Sequence, residues 1–194
     1  MERYASLHRQ TKETDVTVEL CLDGGERKIS TGVGFFDHML TALAVHGGFG
    51  LNVNTVGDWE VDCHHTVEDT GIVLGQAFCA ALPTKRGIRR YGHAFIPMDE
   101  ALAFAAADIS GRPFLVFDAA FPQERVGDFD TCMTEEFFRA FAMNAGITLH
   151  LNCQYGKNSH HMIEALFKAA AHALGDAVAL EQDRDLLLSS KGAL

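Results

Sequence analysis

Residues 62–69 read DCHHTVED, and residues 159–164 read SHHMIE. Each string sets two adjacent histidines three and four residues before a glutamate. Whether this is one motif written twice decides the fold, because a motif repeated at matching places implies a repeated unit. The flanking sequence answers the question. FDHMLTALAVHGG lies over TEEFFRAFAMNAG with Asp37 on Glu135, ETDVTVELCLDG lies over EALAFAAADISG with Glu13 on Glu100, and the motifs themselves set His64 on His160. The three correspondences come in the same order, and the spacing between them drifts only through turns and loops. Self-similarity of this kind points to an internal duplication.

The unit can be read outward from the motif. DVTVELCLD alternates, with Val16, Val18, Leu20 and Leu22 on one face and Thr17, Glu19, Cys21 and Asp23 on the other, which predicts a half-buried strand. DGGE predicts a turn into the second strand of a hairpin. FFDHMLTALAVHGG predicts a helix stopped by Gly47 and Gly48, and FGLNVNTV a strand. A second helix is expected from His64 to about Leu82, with Val67, Gly71, Leu74, Gly75, Phe78 and Leu82 on one stripe. The second half repeats the order: EALAFAAADISGRP and its partner FLVFDAAF, helix EEFFRAFAMNAG, strand ITLHLNCQ and helix SHHMIEALFKAAAHAL. The expected class is α+β, two β-hairpin–helix–strand–helix halves of about 1–88 and 89–194. Each half is too small to cover its own helices, so the two are expected to pack as one domain over residues 1–194.

Composition narrows the function. The 194 residues are 47% hydrophobic and 22% charged, as in a soluble globular chain. A net charge of −10 argues against nucleic acid or an anionic membrane as partner. The segment MERYASLHRQTKETD has no apolar run of the secretory kind, and no stretch approaches the ~18–20 apolar residues of a membrane helix. Five cysteines without a CxxC pair read as reduced, mostly buried thiols in a cytoplasmic protein.

On a helix, residues three and four apart share a face. Glu68 therefore lies over His64 and His65, and Glu164 over His160 and His161. Adjacent helical residues diverge by about 100°, so the two histidines of a pair serve two metals more readily than one. The duplication adds His38, which occupies the place of Glu136 at the start of the corresponding helix. Four side chains per metal result. Imidazole and carboxylate without thiolate favour Mn, Fe or Zn.

GFFDHML, DCHHTVED, GRPFL, GKNSHHMIEALFKA and the C-terminal SSKG closely resemble the imidazoleglycerol-phosphate dehydratases of histidine biosynthesis, from about Arg9 to Gly192. The resemblance implies a ribosomal protein S5 domain 2-like fold, Mn2+ at two ions per subunit, and a homo-oligomer of 24 subunits with sites between them. The implied reaction is loss of water from D-erythro-imidazole-glycerol phosphate to give imidazole-acetol phosphate. The implied metal ligands are His38, His64, His65, Glu68, Glu136, His160, His161 and Glu164, with Glu136 a departure where His is the commoner residue. Glu13, Glu68 and Glu164 are the candidates for proton transfer. Glu13, His46, Arg90, Arg112, Lys168, Ser190 and Lys191 are the candidates for substrate contact, the cations for its phosphate. Lys168 also lies one helical turn beyond Glu164 on the metal face. Two rival readings of the same ligand set are a dinuclear metal phosphohydrolase and a non-enzymatic metal-binding protein.

Overall fold

The computed structural model of the chain describes residues 3–183 and 185–192. Its first half runs β1 (Tyr4–Gln10), β2 (Thr14–Cys21), β3 (Arg27–Ser30), α1 (Gly34–Gly47), β4 (Gly50–Gly57) and α2 (His64–Ala81). The second runs β5 (Tyr91–Met98), β6 (Ala101–Asp108), β7 (Phe114–Asp118), a two-stranded ribbon β8 (Arg125–Val126) and β9 (Phe129–Asp130), α3 (Met133–Ala145), β10 (Thr148–Tyr155) and α4 (Ser159–Val178). The sheets are ordered β1-β2-β4-β3 and β5-β6-β10-β7, the same arrangement twice. The duplicated α+β architecture is thus present.

The strand pairing differs from the sequence expectation. The hairpin is β1 with β2, antiparallel from Tyr4 opposite Cys21 to Gln10 opposite Asp15. The other edge of β2 is taken by β4, so the strand after DGGE has no place beside β2. It lies on the far side of β4 and parallel to it. A parallel pair needs a crossover, and α1 supplies it. In the second half FLVFDAAF likewise contributes β7, parallel to β10 rather than paired with β6. Each unit is a hairpin followed by a strand–helix–strand crossover and a final helix.

Val16, Val18 and Leu20 are buried as the alternation predicts, and the helices cover that face. One apolar cluster runs through both halves, from Val16 and Leu40 to Phe137 and Leu166. The helix pairs are exchanged between halves: α1 packs on α4, and α2 on α3. The second pairing is close. A Cβ built at Gly75 would stand 2.5 Å from the Phe141 carbonyl oxygen, so the absence of a side chain is what lets the two backbones meet.

Candidate functional site

Both histidine motifs lie in the first turn of a helix, and in both a side chain two residues ahead takes the first histidine's amide. Asp62 Oδ1 accepts the His64 amide at 2.7 Å, and Asn158 Oδ1 accepts the His160 amide at 2.9 Å. An acceptor two residues ahead satisfies an amide that has no partner within the helix. That bond fixes where the helix starts, and hence where the histidines point.

The packing of α1 on α4 brings His38 of the first half against His160 and Glu164 of the second. Glu164 Oε2 lies 3.3 Å from His160 Nε2 and 3.7 Å from His38 Nε2. Among the described residues, these three form the one group of at least three His, Cys, Asp or Glu side chains whose ligand atoms all fall within 4.8 Å of each other. Glu164 is buried, and Lys168 Nζ holds its other oxygen at 2.7 Å. Burial works to raise the Glu164 pKa, but the Lys168 hydrogen bond and the charges of Lys168, His38 and His160 outweigh it and hold the group below its ordinary value. Phe35 packs edge-on against His160 with ring centres 4.9 Å apart.

The first-half motif stands apart. His64 Nε2 lies 3.3 Å from Glu68 Oε2. Glu136, on α3, lies 3.7 Å from Arg139 Nε and belongs to no such three-ligand group. Within each pair the rings stand edge to face: the His64 and His65 ring planes are 77° apart, and those of His160 and His161 78° apart. His65 Nδ1 is held by Asp58 at 3.0 Å, with Glu13 Oε2 3.9 Å from Nε2. His161 Nδ1 is held by Glu100 at 2.7 Å. The Asp58 hydrogen bond is the chief cause of a raised His65 pKa, and the Glu100 bond of a raised His161 pKa. The His161 bond, followed by the amides of Lys157 and Asn158, brings Glu100 down to about 2. Asp58 and Glu100 are absent from the sequence-derived ligand set. The one signal for Glu100 was its alignment with Glu13.

The donor set fits a divalent cation of the Mn, Fe or Zn kind. Two imidazoles face an ionised carboxylate in the trio. Cys63, next to the first motif, is buried, and burial raises its pKa, so it stays a thiol rather than a thiolate ligand. All five cysteines are free, but only Cys63 is buried and Cys79 and Cys132 are exposed, against the expectation of mostly buried thiols.

The remaining candidates fall in two places. His46 lies two turns beyond His38 on α1, its ring centre 5.4 Å from that of His172 on α4, and burial, Lys168 and His172 lower its pKa. The cations gather elsewhere, around Asp108. Arg90 is buried and grips Asp108 through Nε at 2.8 Å and Nη2 at 3.2 Å. Its Nη1 donates to the Leu188 carbonyl of the C-terminal segment. Arg112 is exposed, with Nη2 3.7 Å from Asp108. Ser190 and Lys191 are exposed just beyond Leu188. The Arg90 amide donates to the Ala177 carbonyl near the C-terminal end of α4, whereas His160 stands at its N-terminal end. No helix among the described residues is long and apolar enough to cross a membrane.

The imidazoleglycerol-phosphate dehydratase family model matches residues 31–174. An imidazoleglycerol-phosphate dehydratase of Symbiobacterium thermophilum is 61% identical over 194 residues, covering 100% of this chain and 93% of its own length. One of Gluconobacter oxydans is 56% identical over 99% of this chain and 98% of its own. A crystal structure of the Staphylococcus aureus imidazoleglycerol-phosphate dehydratase superposes with a TM-score of 0.84 at 44% identity, over 91% of this chain and 99% of that one. The Pyrococcus furiosus structure, in complex with (S)-C348, gives 0.84 at 35% identity, over 97% and 100%.

Proposed function

The chain belongs to the imidazoleglycerol-phosphate dehydratase family and is a hydro-lyase, and on that premise we propose a Mn2+-dependent loss of water from D-erythro-imidazole-glycerol phosphate, giving imidazole-acetol phosphate in the cytoplasm. The observation that carries this reading is the convergence of His38, His160 and Glu164 from opposite halves of the duplication. These three would hold one cation. His64, Glu68 and Glu136 stand at the duplicated positions and would hold a second, with His65 and His161 as further ligands, two ions per chain in all. A divalent cation bound there would supply Lewis acidity, which would make the proton on the carbon attached to the substrate's imidazole ring easier to remove.

The chain's own groups supply the rest. Lys168 occupies Glu164 Oε1 and leaves Oε2 facing the imidazoles. Glu164 is committed to Lys168 and Glu68 to His64, whereas Glu13 stands beyond hydrogen-bond distance of His65. Glu13 therefore takes the proton at a carboxylate oxygen. The neighbouring carbon loses its hydroxyl, proton and hydroxide together make the water released, and the enol left behind tautomerises to the ketone. His46 lines the substrate side of α1. Arg90, Arg112, Ser190 and Lys191 receive the phosphate, for which the arginine fork is suited.

Along α4, the rise from His160 to Ala177 is about 25 Å at ~1.5 Å per residue. The substrate spans only about 8 Å by ordinary bond lengths. One copy's cations thus complete another copy's metal centre, in a homo-oligomer of 24 subunits. Mn-loaded protein should convert the substrate to a ketone without releasing phosphate, and His64→Ala and His160→Ala should each abolish turnover and reduce bound metal. Release of inorganic phosphate would favour a phosphohydrolase instead, and full activity in either variant would remove its motif from the site.

A further inference from the structure

His65 and His161 are the second histidines of the two motifs, and in each the same ring nitrogen is taken. Asp58 lies 3.0 and 3.1 Å from His65 Nδ1 through its two oxygens. Glu100 Oε2 lies 2.7 Å from His161 Nδ1. An ionised carboxylate can only accept a hydrogen bond, so in both rings Nδ1 carries the hydrogen. In the neutral ring Nε2 then keeps its lone pair. Beyond each Nε2 stands another carboxylate outside hydrogen-bond distance, Glu13 at 3.9 Å and Asp99 at 3.7 Å.

The two acceptors are not copies of each other. Asp58 follows β4, and the matching place after β10 is occupied by Gly156 and then Lys157. Glu100 sits in the β5–β6 turn, where its counterpart is Glu13, which faces Nε2 rather than Nδ1 of His65. The halves reach the same bond from different loops. What they share is the nitrogen that is occupied and the nitrogen left open.

We propose that Asp58 and Glu100 are positioning residues that fix His65 and His161 with Nδ1 protonated and present each Nε2 as a metal-ligating atom. The inference rests on the metal reading given above. A carboxylate on the far nitrogen of a ligating histidine sets its tautomer and ring orientation and raises its basicity. Without it the ring rotates, and a proton on Nε2 competes with the metal.

Asp58 gives the cleaner test, since both its oxygens serve His65. Glu100 also accepts the amides of Lys157 and Asn158 at the entry to α4, so it is tested as Glu100→Gln. Metal-free wild type, Asp58→Ala, Asp58→Asn and Glu100→Gln are titrated with Mn2+ against a chelating dye, and their metal-free thermal midpoints are measured. Asp58→Ala should bind Mn2+ about 10- to 100-fold more weakly with an unchanged midpoint. Asp58→Asn, which keeps an oxygen acceptor, should lose less, and Glu100→Gln should also weaken binding. Wild-type affinity in Asp58→Ala overturns the proposal. Should Asp58→Ala not fold, wild-type affinity in Glu100→Gln does so. A wild-type chain that binds no divalent cation overturns the metal reading as well.

Discussion

Lys168 is the foremost of the groups that favour the charged form of Glu164. The carboxylate is buried, the ammonium mostly so, and they meet at 2.7 Å. Breaking such a pair from the lysine side leaves an uncompensated buried acid, which costs more than an exposed ion pair contributes. Lys168→Met keeps most of the aliphatic stem and removes the charge. Metal-free Lys168→Met should be less stable by about 1–3 kcal/mol at neutral pH, read from urea unfolding. The sign of the pH dependence follows from the depressed pKa. A lowered carboxylate stabilises the fold above its unfolded value near 4.5 and loses that contribution as pH falls through the folded value. The gap between variant and wild type should therefore narrow in acid. A gap that is absent at neutral pH, or that widens in acid, would remove Lys168 from this role.

At the scale of elements, two helical glycines have opposite surroundings. Ala at an interior helical position gains up to about 1 kcal/mol over Gly. At Gly75 that gain meets the Phe141 carbonyl at 2.5 Å and the Asn144 Cβ at 2.9 Å, and a backbone oxygen cannot rotate aside. Gly75→Ala should lose about 1–2 kcal/mol net, the range of core overpacking. At Gly34, in the first turn of α1, an added Cβ meets nothing within 4 Å, so Gly34→Ala should gain a few tenths to about 1 kcal/mol. Equal effects in a denaturation series would mean that α2 and α3 do not meet as described. Sequence reading found these helices and the strand β2, because periodicity records which face is buried. It missed β1 and β5. Each is an edge strand with polar or exposed residues along much of its length, and a Gly and a Pro interrupt β5. It also misassigned β3 and β7, since an alternating pattern does not say which neighbour a strand takes, and parallel pairing to β4 and β10 is settled across a helix.

For the whole molecule, the site was legible as a residue list and not as an arrangement. The doubled motif and the alignment of His38 with Glu136 pointed to paired ligand sets, but only the exchange of helices between halves sets His38 beside His160 and Glu164. Asp58 left no signal and Glu100 only its alignment with Glu13, because loop carboxylates carry no periodicity. Nor does sequence reveal that the cations around Asp108 lie at the opposite end of α4 from His160, about 25 Å away by helical rise. That separation makes a direct test of shared sites. Glu164→Gln should disable the metal end and Arg112→Ala the cation end, each leaving a nearly inactive protein. If one chain's Arg112 serves another chain's Glu164, dissociating and reassembling the two variants together in equal amounts restores both groups to about a quarter of the sites. Activity of the mixture should then rise toward about a quarter of wild type, while each variant carried alone through the same procedure stays inactive. A mixture no more active than its components would show that a single chain brings both ends to its own substrate, and the separation along α4 would need another explanation.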